Sequence, residues 1–132
     1  MVPDAAMSRR GRRLGDGYEP HVDEVVGELI YSAPVDSGPV STSMSFPITH
    51  GDLDVLATDP YRRAVLEVIG HAVLQRSMIR GRAPVSRADF AALVSSILHT
   101  SPAELDAVID RADVEHHMVT RMYVDQVVQR RS

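Results

Sequence analysis

The sequence predicts a mainly α-helical fold, with three or four helices packed over residues 51–132, and three well-specified helix starts carry that prediction. Asp59-Pro60 opens the first: an Asp that can accept from free first-turn amides stands before a Pro whose missing donor costs nothing at the first helical position. Ser86 followed by Asp89 opens the second, in a near relative of the capping box. Ser101-Pro102-Ala103-Glu104 opens the third, with Pro at the first position and Glu at the third.

Composition agrees with such a core. Hydrophobic residues make up 44% of the 132, but with two Phe and no Trp the interior must be built from Val, Leu, Ile, Ala and Met. The absence of Cys excludes disulfides, thiolate zinc sites and cysteine nucleophiles. No apolar run approaches the roughly 18 residues that span a bilayer, so a cytoplasmic protein without membrane contact is expected. The formal charge of −4 is mild, and all 14 basic residues are Arg.

In chain order, residues 1–50 read as a disordered, Arg-rich tail and a Pro/Ser linker. Arg9, Arg10, Arg12 and Arg13 lie among glycines and small residues with little to bury, a composition that suits a solvated tail or a basic arm along phosphate. Val22, Val25, Val26, Leu29 and Ile30 fall at helical spacing and predict a short helix over 22–31, weakened by Gly27. Pro34, Gly38, Pro39 and Pro47 among serines and threonines then read as linker.

The folded unit is expected from residue 51. Residues 52–57 supply one or two helical turns, and the helix from Pro60 runs to about Gln75 with Tyr61, Val65, Val68, Ile69, Ala72 and Val73 on one face. Arg76, Arg80, Arg82 and Arg87 follow with no acidic residue between Glu67 and Asp89. Phe90, Leu93, Val94, Ile97 and Leu98 give an uninterrupted stripe, and Leu105, Val108, Ile109 and Ala112 line the next helix. Val114, Met118, Met122 and Tyr123 continue that stripe past a break near Asp113, which leaves one bent helix or two over 102–124. Val-rich residues 124–129 suit a short terminal strand.

Catalytic and metal chemistry find little support. His116 and His117 are adjacent and project about 100° apart on a helix, so neither metal nor other cofactor is expected. Asp106, Asp110 and Asp113 form a ridge of the kind most often solvated. With no phosphate loop and no nucleophile elbow, an enzyme is not expected, and no small-molecule ligand is evident.

Leu56-Ala57-Thr58-Asp59-Pro60-Tyr61-Arg62-Arg63-Ala64-Val65-Leu66 resembles the opening helix of winged helix-turn-helix regulators of the arsenic-repressor type. His116 to Val128 is similar to the closing segment of small winged-helix domains of unknown function found in halophilic archaea, and Pro84 to Leu93 extends the likeness over residues 51–129. The resemblance implies a winged helix-turn-helix-like domain with at most a short, truncated β-wing, acting as a transcriptional regulator on double-stranded DNA. Arg62, Arg63, Arg80, Arg82 and Arg87 would hold phosphates, while His116, His117, Thr120 and Arg121 would reach base edges. Charge opposes this: residues 104–125 hold six acidic residues against Arg111 and Arg121, a balance of −4. The alternative is a protein-interaction or homodimerisation module of the same fold that does not bind DNA.

Overall fold

A computed structural model describes residues 10–16, 19–37, 40–79 and 82–131. Among them the chain forms four strands and then five helices: β1 (Arg10–Leu14), β2 (His21–Val25), β3 (Glu28–Ser37), β4 (Val40–Ile48), α1 (His50–Thr58), α2 (Pro60–Ser77), α3 (Arg87–Leu98), α4 (Pro102–His116) and α5 (Thr120–Arg131). The strands make one antiparallel sheet in the order β1-β2-β3-β4. This corrects the mainly α expectation with its short wing: the fold is a sheet followed by a helical layer.

The helix expected over 22–31 is a β-hairpin. Val25 pairs with Glu28 across Val26 and Gly27, whose φ angles of 50° and 81° mark a turn with both central residues left-handed. Val22, Leu29 and Tyr31 point inward, and the apolar spacing that imitates a helix is shared between two strands. Of residues 32–50, expected as linker, 32–37 and 40–48 are the rest of β3 and β4, whose register is regular from Ser37↔Val40 to Leu29↔Ile48, and Gly38 and Pro39 lie outside the described residues.

Both strand prolines sit where no ladder donor is lost. Gln75 donates from Nε2 to the Asp36 carbonyl at 2.7 Å and accepts the Asp36 amide at 3.1 Å, so the backbone groups of Asp36 face away from β4. By alternation, even-numbered residues of β3 bond toward β2, and Ser41, Ser43, Ser45 and Pro47 of β4 face its outer edge. Pro34 lies two residues beyond Ser32, the last residue paired with β2. Of the stretch expected as a disordered tail, residues 10–14 form β1, tied to β2 by Arg12 to Asp23 at 2.7 Å and by an Arg13–Glu24 pair; residues 1–9 lie outside the described residues.

The helix starts hold as the sequence specifies. Asp59 caps α2 by accepting the Arg62 amide at 3.0 Å, and Ser86 and Ser101 form reciprocal capping boxes with Asp89 and Glu104. Helix α2 is the centre of the layer: Ala64, Val65, Leu66, Ile69, Gly70 and Leu74 are buried on several of its sides, against β3 and the other helices. Phe90 of α3 stacks on Phe46 of β4 at 4.1 Å between ring centres, with Tyr31 at 5.9 Å. One apolar core thus runs from β2 and β3 through α2 to Val124 and Val127 of α5. The segment 124–129, expected as a strand, belongs to α5: Thr120, Val124 and Val127 are buried at helical spacing.

Candidate interaction surface

The corner between α4 and α5 is built by one carboxylate. Helix α4 ends at His116, and His117 takes the left-handed conformation at φ 52°, with the Met118 amide bonded to the Asp113 carbonyl at 3.1 Å. Asp113 Oδ1 then accepts both the Thr120 amide at 2.8 Å and the Thr120 hydroxyl at 2.6 Å. Asp113 therefore caps α5 from the preceding helix, and 102–124 is two helices joined at a fixed turn.

That turn leaves apolar side chains in solvent. Val114 is 78% exposed, Val119 57%, Met122 48% and Tyr123 44%, although sequence periodicity puts three of the four in a buried stripe. The stripe misleads because the chain reverses at His117, so the inward face after the turn is set by Thr120, Val124 and Val127. The signal available in the sequence was the break at Asp113. Met118 and Tyr123 reach from this corner into a cleft of about 480 Å³ between β3, α2 and α5, walled by Pro34, Val68, Ala72 and Val127 and edged by Glu67, His71 and Arg130.

One end of the cleft meets a half-buried ionic cluster. Glu67 lies 2.6 Å from Arg131 and 3.4 Å from Arg63, and Glu19 lies 3.1 Å from Arg63 and 3.4 Å from Arg131. Burial raises the Glu67 pKa, outweighing the attraction of Arg131 and Arg63. Burial also opposes the Glu19 charge, but the Asp16 amide and the two guanidinium groups outweigh it and lower that pKa. The Tyr31 hydroxyl is buried with no hydrogen-bond partner among the described residues, and burial together with Glu67 raises its pKa.

The residues expected to contact DNA are placed as follows. Arg62 donates to the carbonyls of Ile97 and Thr100 at 2.7 and 2.6 Å, which closes the C-terminal end of α3. Arg63 belongs to the ionic cluster, and Thr120 is fully buried against Asp113. Arg121 reaches back to Asp110 at 3.0 Å and Asp106 at 3.4 Å, and those hydrogen bonds raise its pKa. Arg87 is exposed at the start of α3 and His117 at the end of α4. Arg82 and His116 come together, lining a concavity of about 310 Å³ with Arg76 and Glu115. Arg80 lies outside the described residues. Among the described residues no group of three or more metal-ligand side chains converges, and no helix is long and apolar enough to cross a membrane.

No protein-family model matches the chain, and no curated protein and no solved structure matches it either.

Proposed function

We propose that this chain is a non-enzymatic protein-interaction module that docks a partner on the α4–α5 corner. The observation that carries this reading is the exposure of Val114, Val119, Met122 and Tyr123 around a turn held rigid by Asp113 and Thr120. Exposed apolar side chains with Met and Tyr among them are the composition of docking surfaces, and a fixed corner presents them without an ordering cost. The carboxylates that flank the corner on α4 are already paired, Asp106 and Asp110 with Arg121 and Glu115 with Arg76, so a partner with an apolar anchor suits it. The test compares partners captured by the wild-type chain with those captured by Val114→Asp and Met122→Asp, each checked for an unchanged melting temperature. A partner retained by the wild type and released by both variants supports the reading; identical capture by all three refutes it.

A second reading, binding to double-stranded DNA through phosphate contacts, is favoured by the meeting of Arg76, Arg82 and His116 in one concavity. Its signature is a steep fall of affinity with added salt and an equal loss on all duplex sequences for Arg82→Ala. The absence of binding to random duplex at low salt removes it.

A further inference from the structure

We infer that the outer edge of β4 pairs with the same edge of a second copy of this chain, making one continuous eight-stranded antiparallel sheet across a two-fold axis. The inference concerns a surface separate from the α4–α5 corner and does not rest on the docking reading.

Among the described residues β4 pairs only with β3, so its other side presents unpaired backbone groups along a strand of nine residues, Val40–Ile48. An exposed edge of this length is a template for another strand unless charge, proline or a covering element blocks it. The chain protects its other edges: the opposite edge strand, β1, is short and Arg-rich, and part of β3 is covered by a side chain. Where β3 outruns β2, the Gln75 amide takes both backbone groups of Asp36, and Pro34 removes the neighbouring donor. Among the described residues no such device covers the middle of β4. The strand VSTSMSFPI holds no charged residue, so a two-fold copy brings no like charges face to face.

The register is set by parity. The groups facing the free edge belong to Ser41, Ser43, Ser45 and Pro47, as the Asp36 contacts and the β3–β4 register require. Pairing in which Ser43 meets Ser43 of the copy, and Ser41 meets Ser45, uses every one of those donors and leaves Pro47 beyond the paired stretch. Moving the partner by two residues either brings Pro47 into the ladder or shortens it. On the inner face the same register sets exposed Thr42 beside the copy's half-buried Met44. The flank of α3 next to the edge is small there, since Ala91 and Ser95 line a concavity with Pro47, Ile48, Asp52 and His99, so two such helices have room to approach. A second copy is favoured over an unrelated peptide because the edge is self-complementary: Ser43 meets Ser43, and Thr meets Met twice.

The experiment uses the full chain of 14.5 kDa, its mass in solution measured by sedimentation equilibrium at high micromolar concentration. The wild type is expected to weigh twice the chain. Ser43→Pro removes a donor that faces the free edge and no donor of the β3–β4 ladder, as Pro47 already does. It is expected to weaken dimerisation about tenfold or more with the far-ultraviolet spectrum unchanged. Because the chain has no Cys, Ser43→Cys offers an independent readout that does not need the proline variant to fold. Paired residues lie about 5.5 Å apart at Cα, within disulfide range, so mild oxidation links Ser43→Cys across the axis and leaves Ser45→Cys, displaced by four residues from its own copy, unlinked. A monomeric wild type, or a dimer in which Ser45→Cys links as readily as Ser43→Cys, overturns the inference.

Discussion

Arg62 of α2 donates from both terminal nitrogens, to the Ile97 carbonyl at 2.7 Å and to the Thr100 carbonyl at 2.6 Å. These are carbonyls at the end of α3, where a helix leaves acceptors unpaired and carries partial negative charge. The Asp59 carboxylate, 3.4 Å away, holds the same guanidinium from its other side. Charge-assisted bonds of this kind contribute about 1.5–3 kcal/mol each. Arg62→Ala is therefore expected to lower unfolding free energy by about 2–3 kcal/mol in urea titration, with Arg62→Lys recovering less than half. A loss below about 0.5 kcal/mol, the scale of an ordinary surface substitution, would contradict the role.

Val26 sits at φ 50° in the turn between β2 and β3, a conformation costly for a β-branched residue, and its side chain is 66% exposed. Two-residue hairpins prefer Asn-Gly at this place. Val26→Asn is expected to raise stability by about 1 kcal/mol, the scale of left-handed strain relieved. Thermal unfolding measures it, and a lowered midpoint would show that the turn owes its shape to something else.

That same residue explains why half of the fold was hidden in the sequence. A Val in place of Asn before Gly27 conceals the hairpin, and Val22, Val25, Val26, Leu29 and Ile30 then satisfy a helical spacing that the two strands divide between them. Pro34 and Pro47 read as strand breakers because register, which decides whether a proline costs a hydrogen bond, is a tertiary property. The starts of α2, α3 and α4 were legible because caps are local chemistry: Asp59, Ser86 and Ser101 satisfy amides within their own first turns. The start of α5 was not, since its cap is Asp113, seven residues upstream and across a turn. The exposure of the α4–α5 corner stayed illegible for the same reason, as the reversal at His117 turns Val114, Met122 and Tyr123 outward.

Tyr31 buries its hydroxyl without a hydrogen-bond partner among the described residues, while its ring lies 5.9 Å from that of Phe90. A hydroxyl so placed has lost its water and gained nothing for it. Tyr31→Phe keeps the ring contact and is expected to stabilise the fold by about 1 kcal/mol. A destabilisation of that size in denaturant titration would mean that the hydroxyl has a partner in solution.

Glu67 has its pKa raised above 4.5 by burial, against Arg131 and Arg63. The folded chain therefore binds this proton more tightly than the unfolded chain, and its contribution to stability is fully present below about pH 4.5 and lost as pH rises through the raised folded value. Glu19, with its pKa lowered, acts in the opposite sense below that point, its contribution lost as pH falls. Glu67→Gln removes the first effect and leaves the second. The unfolding free energy of the variant minus that of the wild type is expected to increase as pH rises above about 4.5, the variant gaining relative stability, as read from urea titrations across that range. Parallel profiles would place the titration elsewhere.

Asp113 links the stability of the corner to what the corner presents. Its Oδ1 satisfies the Thr120 amide and the buried Thr120 hydroxyl together, so Asp113→Ala strands two donors at the start of α5. The loss of a cap costs about 1 kcal/mol, and a stranded buried group adds about 1–3 kcal/mol, so a loss of about 2 kcal/mol or more is expected. Asp113→Asn retains an acceptor at the same atom and should lose less than half as much. If the α4–α5 corner is the docking surface, partner affinity must fall in the same order, Asp113→Ala below Asp113→Asn below wild type, because Val114, Val119 and Met122 are held in place by the turn. Titration of a captured partner against the three proteins measures this directly, and equal affinities alongside unequal stabilities would separate the cap from the surface.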